Sequence, residues 1–70
     1  MPTYTAIITV LHNDQGYGYV RIPDTAESFR FRLKDWEGEG LPQVGQLVRF
    51  ILQQNRKGYF ASDLKPANFA

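Results

Sequence analysis

The chain has 70 residues, eight basic and seven acidic side chains for a formal charge of +1, and no cysteine. That length makes one domain over residues 1–70, one that buries only about 60% of the surface its unfolded form exposes. The composition excludes disulfide staples and thiolate metal sites. No apolar run approaches the roughly 18 residues of a membrane-spanning helix.

The chain order reads as short strands separated by turn signals. Residues Thr3 to Leu11 are rich in β-branched side chains and predict a first strand. Strict alternation puts Ile8 and Val10 on one face and Ile7, Thr9 and Leu11 on the other. His12-Asn13-Asp14-Gln15-Gly16 is a polar turn. The second strand is Tyr17 to Ile22, with Tyr17, Tyr19 and Arg21 on one face and Val20 and Ile22 on the other. Gly18, between the two tyrosines, leaves the opposite face low enough for another element to approach closely. Pro23 to Glu27 closes the next turn.

The third strand, Ser28 to Leu33, sets Phe29, Phe31 and Leu33 against Arg30 and Arg32. The apolar set must face the core, because burying two unpaired guanidinium groups is prohibitive. If the second and third strands form a hairpin, Tyr17, Tyr19, Arg21, Arg30 and Arg32 make one outward patch of interleaved aromatics and cations. Lys34 to Gln43 is an irregular connection. Within it Trp36 either plugs one end of the fold or stands out as a stacking residue. Strand four is Leu47 to Leu52, Gln53 to Gly58 is a polar turn, strand five is Tyr59 to Leu64, and Lys65 to Ala70 is a tail. No window sustains helical apolar spacing. The fold class is therefore all-β, and the core is expected to include Ile8, Val20, Phe29, Phe31, Val48, Phe50, Ala61 and Leu64.

Adjacent exposed aromatics are what a protein needs to stack unpaired bases, since every base has a π-face. The same pair also suits an ordinary cross-strand aromatic cluster. Four basic residues, Arg21, Arg30, Arg32 and Lys34, lie close together, and Arg56-Lys57 forms a second basic spot. In a chain of near-neutral charge, attraction for phosphate must come from such local clustering. An enzyme is the least favoured class. There is one histidine, no cysteine and no arrangement of carboxylates or Ser/His/Asp that strand spacing brings together. No metal-ligand cluster or phosphate loop is evident, and no cofactor is expected.

Four segments resemble the cold-shock domain family. The first is Gln15-Gly16-Tyr17-Gly18-Tyr19-Val20, against the family's Lys-Gly-Phe/Tyr-Gly-Phe/Tyr-Ile/Val. Next, nine residues beyond Val20, comes Phe29-Arg30-Phe31-Arg32-Leu33, against Val-Phe-Val-His-Phe. Val44-Gly45-Gln46-Leu47-Val48-Arg49-Phe50 matches Glu-Gly-x-x-Val-x-Phe, and Lys57-Gly58-Tyr59-Phe60-Ala61-Ser62-Asp63-Leu64 matches Lys-Gly-Pro-x-Ala-x-x-Val. The resemblance spans nearly the whole chain, with the motifs in order and at family-like spacing. The resemblance implies a five-stranded antiparallel oligonucleotide-binding barrel that binds single-stranded RNA or DNA.

The departures concern function. The family's Lys-Trp-Phe-Asn on the first strand is Thr9-Val10-Leu11-His12 here, so several stacking residues are missing. The motif lysine is Gln15, and the Phe and His of the second motif are Arg30 and Arg32. Guanidinium groups recover part of the loss by stacking on bases and contacting phosphate. The expected nucleic-acid-binding set is Tyr17, Tyr19, Arg30, Arg32, Arg21, Lys34, Leu11, His12 and Lys57. Of these, His12 either bonds a base or simply occupies a turn.

A binding module of modest affinity and low sequence specificity is the expected function. The alternative is a protein-interaction or regulatory barrel that has lost nucleic-acid binding. A bacterial, cytoplasmic monomer without a metal is expected. A membrane becomes relevant only if the chain is the N-terminal domain of a longer protein that continues into a membrane domain.

Overall fold

In a computed structural model, which describes residues 3–67, the chain forms five strands and one short 3-10 turn. The strands are β1 (Thr3–His12), β2 (Tyr17–Arg21), β3 (Ser28–Arg32), β4 (Leu47–Asn55) and β5 (Gly58–Pro66), with the 3-10 turn at Leu33–Asp35. They close a barrel in the order β1-β2-β3-β5-β4. Every pairing is antiparallel except β3 with β5, which meet in parallel at Arg30 and Phe60. This is an all-β barrel, as the alternation of apolar residues predicts, and it is of the oligonucleotide-binding type that the motif resemblance implies.

The barrel closes because each strand offers one apolar face. Ala6, Ile8, Val20, Phe31, Val48, Phe50, Ala61 and Leu64 are all at most 1% exposed and form one cluster. Phe29 lies at the margin of that cluster, half-buried, with its ring 6.0 Å from that of Phe50. Trp36 packs against the cluster, bridges to Leu64, and donates its indole N–H to the Gly40 carbonyl at 3.0 Å. It plugs the fold instead of standing out from it.

Two β-bulges alter the expected register. In β1 the pairing with β2 shifts between Ile8 and Val10, so Thr9 is the extra residue. Ile8 remains fully buried, but Val10 turns outward to 38% exposure and Leu11 turns in against the core. Ile8 and Val10 therefore do not share a face, because one inserted residue reverses the alternation beyond it. In β5 the pairing with β4 shifts opposite Arg49–Ile51, and Asp63 adopts a left-handed φ of +50°. This second bulge returns Leu64 to the core.

Strand boundaries also differ: β1 runs on to His12, Ile22 lies beyond β2, and Leu33 belongs to the 3-10 turn instead of β3. Gln53, Gln54 and Asn55 belong to β4, not to a turn, because each pairs with β5. Only Arg56 and Lys57 form the turn, with Gly58 at φ +127° completing it. Lys65 and Pro66 extend β5 by pairing with Arg49 and Val48, so they are not tail. Residues 68–70 of the expected tail lie outside the described residues.

Candidate nucleic-acid interface

The β2–β3 hairpin pairs Tyr17 with Arg32, Tyr19 with Arg30 and Arg21 with Ser28. Gly18 pairs with Phe31 and Val20 with Phe29 on the opposite face. Two-residue periodicity thus sends Tyr17, Tyr19, Arg21, Arg30 and Arg32 to one outward surface. Arg21, Arg30 and Arg32 are exposed, and both tyrosines are half-exposed. β1 extends this surface, since Val10 pairs with Tyr19 and His12 with Tyr17.

Gly18 makes the close approach of β1 possible. A Cβ there would stand 2.5 Å from the Val10 carbonyl oxygen and 3.0 Å from Leu11 Cδ2 and Phe31 Cε1. Absence of a side chain on the inner face of β2 is what lets Leu11 and Phe31 close beneath the tyrosines.

The outward side chains are organised around Tyr17. The guanidinium carbon of Arg30 sits over its ring at 4.4 Å from the centroid. The His12 ring lies 4.9 Å away at 40°, and the Tyr19 ring meets it edge-on at 6.0 Å and 80°. Each geometry is a favourable one: the cation meets the negative face of the ring, and the edge-on pair matches opposite ends of two quadrupoles. Tyr17 is consequently a scaffold for its neighbours. Arg30 occupies one face of the Tyr17 ring, and Tyr19 abuts it edge-on.

Beside this surface lies a cleft of about 420 Å³, opened where β3 and β5 diverge beyond their parallel contact. Arg30, Arg32, Lys57, Asn55, Tyr59 and Phe60 line it together with Phe31 and Gly58. Tyr59 is 57% exposed. Asn55 Oδ1 accepts from the Lys57 backbone N–H at 2.8 Å, which shapes the turn carrying Lys57. Arg32 Nε faces Asp35 Oδ2 at 3.6 Å, an ion pair longer than a hydrogen bond.

Seven of the nine expected residues, Tyr17, Tyr19, Arg21, Arg30, Arg32, His12 and Lys57, thus belong to one surface and its adjoining cleft. Two do not join it. Leu11 packs inward against the core, a correction that follows from the Thr9 bulge. Lys34 is exposed in the 3-10 turn but lines neither the β2–β3 surface nor the cleft. Sequence reasoning missed Val10, Tyr59, Phe60, Asn55 and Asp35. Val10 needed the bulge to be known, and the others needed the parallel closure of β3 on β5, which no local pattern announces.

No family model and no curated protein matches this chain.

Proposed function

We propose that the β2–β3 surface and its adjoining cleft bind single-stranded RNA or DNA. The carrying observation is the co-facial set of Tyr17, Tyr19, Arg30 and Arg32, with the guanidinium carbon of Arg30 4.4 Å from the Tyr17 ring centroid. A guanidinium held over an aromatic ring brings positive charge and hydrogen-bond donors to the surface where a base would stack. Tyr19 supplies a second ring, and Lys57 and Arg21 supply longer-range attraction. The reading also rests on the motif resemblance to cold-shock domains, which accounts for the same hairpin. On it, the chain acts as a binding module without catalysis, of modest affinity, and tolerant of base identity along most of the strand.

A second reading, a protein-interaction barrel, draws on one specific observation. Leu41 and Val44, in the connection before β4, are 66% and 61% exposed. Two such side chains form a small apolar spot away from the aromatic surface.

The deciding experiment is a titration of isotope-labelled protein with short single-stranded DNA and RNA oligomers, following backbone amide shifts. Shifts in β2, β3 and the Arg56–Lys57 turn are expected. Affinity should fall with salt at a log–log slope of roughly −2 to −3, for three or four phosphates neutralised. Silence at high micromolar oligomer, or shifts confined to residues around Leu41 and Val44, favours the protein-interaction reading.

A further inference from the structure

The two arginines of β3 are held in different ways. Arg30 lies over a ring, whereas Arg32 faces a carboxylate. The ion pair is made at Nε, with Asp35 Oδ2 at 3.6 Å. Asp35 sits in the 3-10 turn only three residues on, so the short turn after β3 brings the carboxylate back beside its own strand. Asp35 Oδ2 is inaccessible to solvent and accepts no hydrogen bond. The Arg32 side chain is 56% exposed and lines the cleft, whereas that of Asp35 is 22% exposed.

This geometry has two chemical consequences. The carboxylate offsets the guanidinium charge, which weakens the pull of Arg32 on a phosphate. It also sits on the Nε side of the guanidinium, so the Nη1–Nη2 edge is the one a ligand would meet end-on. An end-on arginine fork matches two adjacent neutral acceptors, the arrangement that guanine presents at O6 and N7. Adenine places an amino donor where guanine has O6, and pyrimidines lack the N7 acceptor. The cleft volume of about 420 Å³ falls within the range of small-ligand sites, and the exposed Tyr59 ring offers a stacking surface in the same cleft.

We propose that Arg32, positioned by Asp35, reads a guanine base in the β3–β5 cleft. The site thereby gives an otherwise base-tolerant surface one position of sequence preference. This inference rests on the nucleic-acid reading above. Asp35 is a positioning residue, and Arg32 is the group that touches the base.

The test compares a hexathymidylate with the same hexamer carrying one guanine, and with one carrying 7-deazaguanine, which lacks the N7 acceptor. The parent protein should prefer the guanine hexamer by at least about fivefold, and 7-deazaguanine should remove most of that preference. Arg32→Lys keeps the charge but loses the fork, so it should bind hexathymidylate as the parent does and no longer distinguish guanine. Asp35→Asn and Asp35→Ala should lose guanine preference while binding hexathymidylate more tightly. Their salt slope should steepen by about 0.7, as the released Arg32 takes a phosphate. Equal binding of the guanine and thymine hexamers by the parent overturns this inference alone, as does a preference that survives Asp35→Ala or Arg32→Lys. Absence of binding to every hexamer overturns the nucleic-acid reading and this inference with it.

Discussion

The barrel has two outward faces built on the same pleat and stabilised differently. On the β4–β5 side, Ile51 pairs with Ser62, Gln53 with Phe60 and Arg49 with Lys65. Gln53 donates its side-chain amide to Ser62 Oγ at 2.8 Å, and Ser62 donates to the Ile51 carbonyl at 3.3 Å. Ser62 is 6% exposed although it points away from the core. Next to it, Asp63 and Glu37 lie among Arg49 and Lys65 in a surface of mixed charge. On the β2–β3 side, the contacts are rings against rings and a cation against a ring. Directed hydrogen bonds consume the polar groups that make them, whereas a guanidinium lying on a ring keeps its outer plane and its donors available. One face is closed by its own bonds, and the other is ordered with its arginines still exposed.

The comparison breaks most completely if the shared core is removed. Phe31 is 1% exposed and lies beneath the tyrosines, so Phe31→Ala should cost about 3–5 kcal/mol in denaturant unfolding. That loss is a large share of the total stability of a domain this small. A negligible loss would mean that the inner face of β3 is not what supports the outer one.

The double substitution of Tyr17 and Tyr19 by alanine separates the two faces. Loss of stacking at about 1–3 kcal/mol per base should weaken oligonucleotide binding at least fivefold and up to several hundredfold. Because Tyr17 also supports Arg30 and His12, stability should fall by about 1–3 kcal/mol, more than bare exposed strand positions would lose. Unchanged affinity in a folded double variant would leave the aromatic set a purely structural cluster.

Gly18→Ala should act through the backbone, since its Cβ would lie 2.5 Å from the Val10 carbonyl oxygen. The expected loss is about 1–3 kcal/mol, with the largest amide shifts along β1 from Val10 to His12. A neutral result would show that β1 can move off β2 without penalty. The smallest effect belongs to the other face. Ser62→Ala removes one bridging hydroxyl and should cost about 1 kcal/mol while leaving oligonucleotide affinity unchanged. If affinity changed as much as in the tyrosine variant, the two faces would not be independent.

Legibility of the molecule from its sequence followed the range of each interaction. The alternation of Phe29 and Phe31 with Arg30 and Arg32 is a local steric requirement, and it placed β3 and its outward arginines correctly. The same logic failed after Thr9, where no glycine or proline marks the bulge and β-branched residues continue through it. It failed again at Gln53–Asn55, whose polarity resembles a turn but whose backbone groups are satisfied by pairing with β5. The cleft was the least legible part. Lys57, Tyr59 and Arg32 line one cleft only because β5 returns beside β3 after the 3-10 turn, a connection and the whole of β4. Asp35 reads as the first of a run of acids with Glu37 and Glu39, and only the 3-10 turn reveals that it faces Arg32.

That return of β5 has a consequence for how the barrel forms and opens. The parallel seam is pinned at Arg30 and Phe60, whereas β4 and β5 are paired along most of their length. A seam held by one backbone pairing gains little to offset its loop-closure entropy, whereas β1 and β4 pair at five positions, so the seam belongs late in folding. It is also where local opening should begin, with the amides of Phe60 and its neighbours exchanging hydrogen ahead of those between β1 and β4. An oligonucleotide in the cleft would bridge the two sides of this seam. Slower exchange there on binding would then mark the ligand as the fastener of the barrel's weakest joint.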